Sequence, residues 1–323
     1  MNSDDKAASA DALQGHEPDR RRLLRAGAAL GLAAFAFSQA SGASAAPPAD
    51  QGVKPVPLPA PIKATEGLVE VGDGHSLWYF DTGGTGVPVI FLHAGTGSGL
   101  VWLYQTPVFA KAGYRVIGYS RRGYHGSVVG DPAKPGTGAG DLLKLVDHLK
   151  LTKFHLVGSA AGGMVATDFA VSHPQRLRSL VLSNTIVGIR DEDYRAIYKL
   201  IWPKEFDALP HDFKELGPSY RHLDQEGRRL WNELEHKAKT GKMESQAYEN
   251  NVTWTSIAAW RMPVLVVTGD GDLYTPPSMA RLVHSRIQGA EFSLIPDCGH
   301  SAYWERPEIW NELVLGFIGK HSA

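Results

Sequence analysis

From about residue 64 to its C-terminus, this chain alternates short apolar runs with helical hydrophobic patterns. The runs predict strands at 67–71, 76–81, 87–92, 114–119, 154–158, 179–183, 264–269 and 292–295. Several, such as Val87-Pro88-Val89-Ile90-Phe91-Leu92 and Val264-Leu265-Val266-Val267, are apolar at nearly every position. Only a strand covered on both faces tolerates that pattern. Helical periodicity occupies the intervals at 138–150, 161–172, 277–287 and 307–318, the first carrying Leu142, Leu143, Leu145, Val146 and Leu149. Together these elements predict an α/β fold, a mostly parallel eight-stranded sheet with helices on both faces.

The alternation breaks once, over residues 187–258, where the sequence turns charged, helical and aromatic, with Tyr194, Tyr198, Trp202, Tyr220, Trp231 and Tyr248. An interruption of about 70 residues is too long for a connection without structure of its own. It is expected to be a helical cap inserted after the sixth strand, between core segments 64–186 and 259–323.

The N-terminus follows another logic. Arg20, Arg21, Arg22 and Arg25 precede an uncharged apolar run over 26–37, too short to span a bilayer. The small residues Ala43-Ser44-Ala45 then offer a cleavage site, so 1–45 are expected to be a signal peptide and 46–63 a Pro-rich linker. Asp19-Arg20-Arg21-Arg22-Leu23-Leu24-Arg25 resembles the twin-arginine export signal. That resemblance implies handling by an export machinery, delivery to a bacterial periplasm or beyond, and no stable membrane insertion.

Composition changes this picture little. With 43% hydrophobic and 21% charged residues and a formal net charge of -1, the chain reads as an ordinary globular protein with no nucleic-acid partner. The single cysteine, Cys298, excludes an intramolecular disulfide. The 13 histidines include no H-E-x-x-H and no Cys/His cluster at zinc spacing, so neither a metal nor a cofactor is expected.

The chemistry concentrates at strand ends. The predicted strand ending at Gly158 runs through Ser159-Ala160-Ala161-Gly162-Gly163 into a helix. Strand, tight small-residue turn and helix form the context of a nucleophile elbow, G-x-S-x-G, in which flanking glycines admit a turn too tight for side chains. In that register the middle position is Ala160. Using Ser159 instead would put Val157 and Ala161 where the glycines belong.

From these residues the chain resembles the α/β-hydrolase superfamily over roughly 68–317. The family's His-Gly dipeptide after the third strand corresponds to His93-Ala94-Gly95. The resemblance implies an oxyanion hole from the backbone N–H of Gly95 or Ala94 together with that of Ala161. The family's D-x-R-G-x-G-x-S turn matches Ser120-Arg121-Arg122-Gly123-Tyr124-His125-Gly126-Ser127, with Ser120 in place of aspartate. That match is evidence for the fold. Carboxylate and histidine follow in the family's order. Asp272, in Gly269-Asp270-Gly271-Asp272, is implied as the acid, with Asp270 the alternative, and His300, after Gly299, as the base.

A serine hydroxyl attacks an ester carbonyl once an imidazole takes its proton, and the carboxylate orients that imidazole. Alanine has no oxygen to offer, so the chain is expected to be a carboxylic ester hydrolase in a catalytically impaired form. Either serine is the natural residue and alanine was introduced to trap substrate, or this is a natural non-catalytic binding protein. Carbon-carbon bond hydrolases, lactonases and haloperoxidase-type members share the fold and remain alternatives. The expected partner is a small ester, apolar or aromatic, beneath the cap, with Tyr194, Tyr198 and Trp202 as candidate contacts.

Overall fold

The computed structural model describes residues 52–202, 204–241 and 245–322. The expected signal peptide, with its cleavage site, lies outside the described residues. Of the linker, 52–63 have no regular secondary structure, yet Val53 and Val56 pack on the core and the Tyr104 hydroxyl donates to the Val56 carbonyl at 2.9 Å.

The chain begins with β1 (Thr65–Gly72), β2 (His75–Asp81) and β3 (Pro88–Leu92). Helix α1 (Thr106–Lys111), β4 (Arg115–Tyr119), α2 (Gly138–His148), β5 (Phe154–Ser159), α3 (Ala161–Ser172) and β6 (Leu177–Ser183) follow. Between β6 and β7 the chain forms α4 (Glu192–Ile201), α5 (His211–Glu215), α6 (Pro218–Leu223), α7 (Gln225–His236) and α8 (Trp254–Ala258). Last come β7 (Val264–Gly269), α9 (Pro277–Ser285), β8 (Glu291–Ile295), α10 (Ala302–Glu305) and α11 (Pro307–Gly319).

The strands form an eight-stranded sheet ordered β1-β2-β4-β3-β5-β6-β7-β8. Only the β1–β2 and β2–β4 pairs are antiparallel. Each predicted strand is present, with ends that differ by a residue or two. β1 starts earlier, at Thr65, because its outer half is exposed and carries no apolar signal. The helices expected at 138–150 and 277–287 stop at His148 and Ser285, each closed by backbone hydrogen bonds at its C-cap. Helix α1 escapes a periodicity reading because it is six residues long and buries one side chain, Phe109.

Coverage on both faces explains the unbroken apolar strands. In β3, Ile90 and Leu92 enter one core cluster while Val89 and Phe91 enter the other; β7 divides likewise, Val264 and Val266 against Leu265 and Val267. The first cluster lies under α2, α3 and α9, the second under α1 and α11. Phe91 sits at the centre of the second, its ring 4.9 Å from that of Trp102 and 5.1 Å from that of Phe109. Beside the sheet, Arg122 and Asp141 form a buried ion pair at 2.6 Å, and the Arg122 guanidinium also donates to the Val71 and Lys134 carbonyls. The arginine of the family-like turn is therefore a structural cross-link. No helix among the described residues is long and apolar enough to cross a membrane.

Phe91→Ala, which empties this aromatic nest, is expected to lower the unfolding free energy by about 3–5 kcal/mol at unchanged m-value in urea denaturation.

Candidate active site

Parallel strands expose their carboxyl ends at one edge, and loops leaving that edge bring His93–Thr96, Ala160, Asn184, Asp272 and His300 together. The turn after β5 is the tightest element there. Ala160 has φ 49° and ψ −116°, a conformation that costs a non-glycine residue on the order of 1–3 kcal/mol. Surrounding bonds hold it: its N–H donates to the Ser183 carbonyl at 3.0 Å, and its carbonyl accepts from Thr185 Oγ1 at 2.7 Å and the Gly163 N–H at 3.0 Å. A methyl group on Gly158 would lie 2.6 Å from the Gly163 Cα, and one on Gly162 would lie 2.3 Å from the Leu92 carbonyl oxygen. Both positions therefore require glycine. Ala160 lines a cavity of about 240 Å³. Ser159 does not; it is fully buried, its hydroxyl without a hydrogen-bond partner among the described residues.

His300 lines the same cavity, and its Nδ1 donates to Asp272 at 2.8 Å and 3.0 Å from the two carboxylate oxygens. Asp272 is buried and fully engaged. Its Oδ1 accepts from the Tyr274 and Thr275 N–H groups, and its Oδ2 from Thr268 Oγ1 and Asn184 Nδ2. Burial alone would raise its pKa, but the His300 charge and hydrogen bond and these donors hold the carboxyl below the ordinary value. Asp270 instead stands exposed and accepts from the Cys298 N–H at 3.2 Å, closing the turn before the histidine.

Two residues of this arrangement carry no motif. Asn184, at φ 50° directly after β6, donates to Asp272, and its own Oδ1 accepts from Ser183. A polar residue ending an apolar strand at this sheet edge was the available signal. Glu215, at the end of α5, is a buried carboxylate from the cap that lines the cavity. Its Oε1 accepts from Thr96 Oγ1 at 3.0 Å, its Oε2 from Ser301 Oγ at 3.1 Å, and its carbonyl from the N–H groups of His300 and Ser301. Nothing in local sequence ties Glu215 to residues so far along the chain. It joins the loop after β3 to the loop carrying His300.

These neighbours set the charge on His300. Burial would lower its pKa, but the charges of Asp272 and Glu215 outweigh that and push it up to about 9. These charges favour the imidazolium over the neutral ring. His93 behaves oppositely, because burial and the adjacent Arg121 charge drive its pKa well down. Its Nδ1 donates to the Ala94 carbonyl at 2.7 Å and its Nε2 accepts the Arg121 N–H at 3.1 Å, so it is a neutral strut beneath the loop.

On that loop Gly95 and Thr96 face the cavity, whereas Ala94 is buried with its carbonyl turned to Arg121 and to the Gly97 N–H. A methyl group on Gly95 would sit 3.8 Å from the Ala161 Cβ. The N–H groups of Gly95 and Ala161 have no backbone acceptor among the described residues. Of the cap aromatics, Tyr198 and Trp202 line the cavity with Tyr274. Tyr194 is packed into the core, its hydroxyl donating to the Ile186 carbonyl. No group of metal-ligating side chains is assembled among the described residues.

A family model described as alpha/beta hydrolase fold matches residues 87–307. The chain is 28% identical to a Mycobacterium tuberculosis protein bearing the name non-heme bromoperoxidase, over 76% of this chain and 98% of the relative. It is also 28% identical to a 2-hydroxy-6-oxononadienedioate/2-hydroxy-6-oxononatrienedioate hydrolase of Paraburkholderia phymatum, over 78% of this chain and 94% of the relative. A thermophilic esterase from Thermogutta terrifontis superposes with a TM-score of 0.68 at 24% identity, covering 80% of this chain and 100% of the esterase.

Glu215→Gln, which removes the charge with little change of shape, is expected to lower the His300 titration midpoint by roughly one unit in an NMR pH titration of the imidazole. Because the folded-state pKa is raised from 6.5 to about 9, His300 adds stability that is fully present below about pH 6.5 and lost as pH rises through 9. Thermal unfolding should accordingly show a decline over that window that His300→Gln lacks.

Proposed function

The chain belongs to the α/β-hydrolase fold family, and on that premise we propose that it is a carboxylic ester hydrolase of the serine type whose nucleophile position here holds Ala160. One observation carries the reading. Ala160, in the strained turn that would present a serine hydroxyl, shares its cavity with a histidine oriented by a buried aspartate.

With serine at 160, His300 would take the hydroxyl proton through Nε2 as the oxygen attacks the ester carbonyl, and Asp272 would stabilise the imidazolium. The N–H groups of Gly95 and Ala161 would receive the developing oxyanion. His300 would then return the proton to the leaving alcohol, and water would release the acid by the same route. As written, the chain lacks the attacking oxygen and is expected to bind such esters with little turnover; loss of the serine in a triad costs on the order of a millionfold. We take serine as the natural residue, because the buried Asp272–His300 pair and the elbow glycines are all retained around the missing hydroxyl. A serine codon at position 160 of the source gene supports this, and an alanine codon would favour a natural binding protein. The 187–258 insertion acts as the lid of the site, and the N-terminal segment directs twin-arginine export to the periplasm.

Carbon-carbon bond hydrolysis is the second reading, favoured by the relative named as an oxononadienedioate hydrolase. It would use the same His300–Asp272 pair.

Ala160→Ser is expected to raise hydrolysis of 4-nitrophenyl acetate and butyrate by at least a thousandfold over the chain as written. Its kcat/KM should climb from pH 7 to a plateau above about pH 9, since a base must first lose its own proton. No gain across a panel of esters and lactones sinks the proposal, and cleavage of a vinylogous 1,5-diketone alone moves it to the second reading.

A further inference from the structure

Beside the Ala160 cavity lies a larger one of about 630 Å³, and Ala161 and Met164 line both. Its wall near the oxyanion loop is cationic. Arg121 donates through Nη2 to the Ala94 carbonyl at 3.1 Å and lies with its Cζ 4.8 Å from the centre of the Tyr124 ring. Tyr124 is itself fixed by donating to the Gly95 carbonyl at 3.0 Å. The guanidinium is thus held on one face and one edge, while its Nε is buried with no hydrogen-bond partner among the described residues.

Lys239 also lines this cavity, and none of the ion pairs among the described residues uses either cation. The other charges on the wall are spoken for. Arg122 is paired with Asp141, and the Asp168 carboxylate accepts from the Glu249 N–H and from the N–H and side-chain amide of Asn250. The wall therefore offers a guanidinium and an ammonium that form no ion pair among the described residues.

We propose that this second cavity is the subsite for an anionic arm of the substrate, and that the chain takes an acyl compound bearing a free carboxylate, bound by Arg121 with help from Lys239. A planar guanidinium without a carboxylate partner of its own suits a carboxylate better than any neutral group. Arg121 holds the carbonyl of Ala94, the residue before Gly95, so the carboxylate lies a few bonds from the carbonyl held at Gly95 and Ala161. The Tyr198, Trp202 and Tyr274 wall then receives the apolar part. The inference rests on the hydrolase reading only in taking the Ala160 cavity as the place of the reacting carbonyl.

The test is calorimetric titration of the chain as written, which needs no turnover, with monoethyl glutarate and with ethyl butyrate. The carboxylate ester is expected to bind at least tenfold tighter at low salt. Arg121→Gln should abolish that preference and Lys239→Ala should reduce it about threefold, with circular dichroism showing each variant folded. Lys239 is exposed, so its variant remains informative where Arg121→Gln fails to fold. Equal binding of the two probes, binding of neither, or a preference that survives both substitutions overturns the proposal. An inactive Ala160→Ser enzyme would count against the hydrolase reading and leave this binding result standing.

Discussion

Everything at the sheet edge depends on the reversal of the chain at residue 160. A strand entering a helix with a single residue between them forces that residue to positive φ and brings Gly158 and Gly162 against backbone. The strain is tolerated because bonds from Ser183, Thr185 and Gly163 close around Ala160. Those same bonds hold residue 160 on the wall of the cavity that His300 also lines. The geometry belongs to the backbone, so it persists without a hydroxyl to use it.

Electrostatics divides the neighbourhood into separate regimes. Around His300, carboxylates from the loop after β7 and from the insertion between β6 and β7 favour the imidazolium and overcome its desolvation. Around His93, burial and an adjacent arginine favour the neutral ring. Each histidine is thereby committed to a state, one able to exchange a proton and one serving as a hydrogen-bonded strut. The insertion between β6 and β7 reaches into the site, since Glu215 ties the loop after β3 to the loop of His300 and contributes charge that favours the imidazolium.

The glycine ahead of His300 belongs to this join. A methyl group on Gly299 would lie 2.5 Å from the Gly217 backbone nitrogen, so the connection between α5 and α6 runs directly against the loop. Glu305 stitches the two, accepting from both the Gly217 and the Gly299 N–H. Burial raises its carboxyl to about 8 despite those bonds. The insertion, the loop after β3 and the loop of His300 are one hydrogen-bonded unit.

Much of this was written locally in the chain. Continuous apolar strands announced a sheet covered on both faces, because burial of alternate side chains in separate cores leaves no polar position. The elbow could be recognised from Gly158 and Gly162, since local sterics alone demand glycine there. Asp272 and His300 were legible because each follows a strand of the same sheet, whose carboxyl ends must converge. Asn184, Glu215 and the Arg121 subsite were not, because their meaning lies in partners distant along the chain: Glu215 meets Thr96 and Ser301 only when the cap closes on the core. Periodicity and turn chemistry are short-range constraints and determined the sheet, the helices and the tight glycine-flanked turn at Ala160. The raised pKa of His300 and the setting of Arg121 are sums over long-range neighbours, and only the tertiary structure decides such sums.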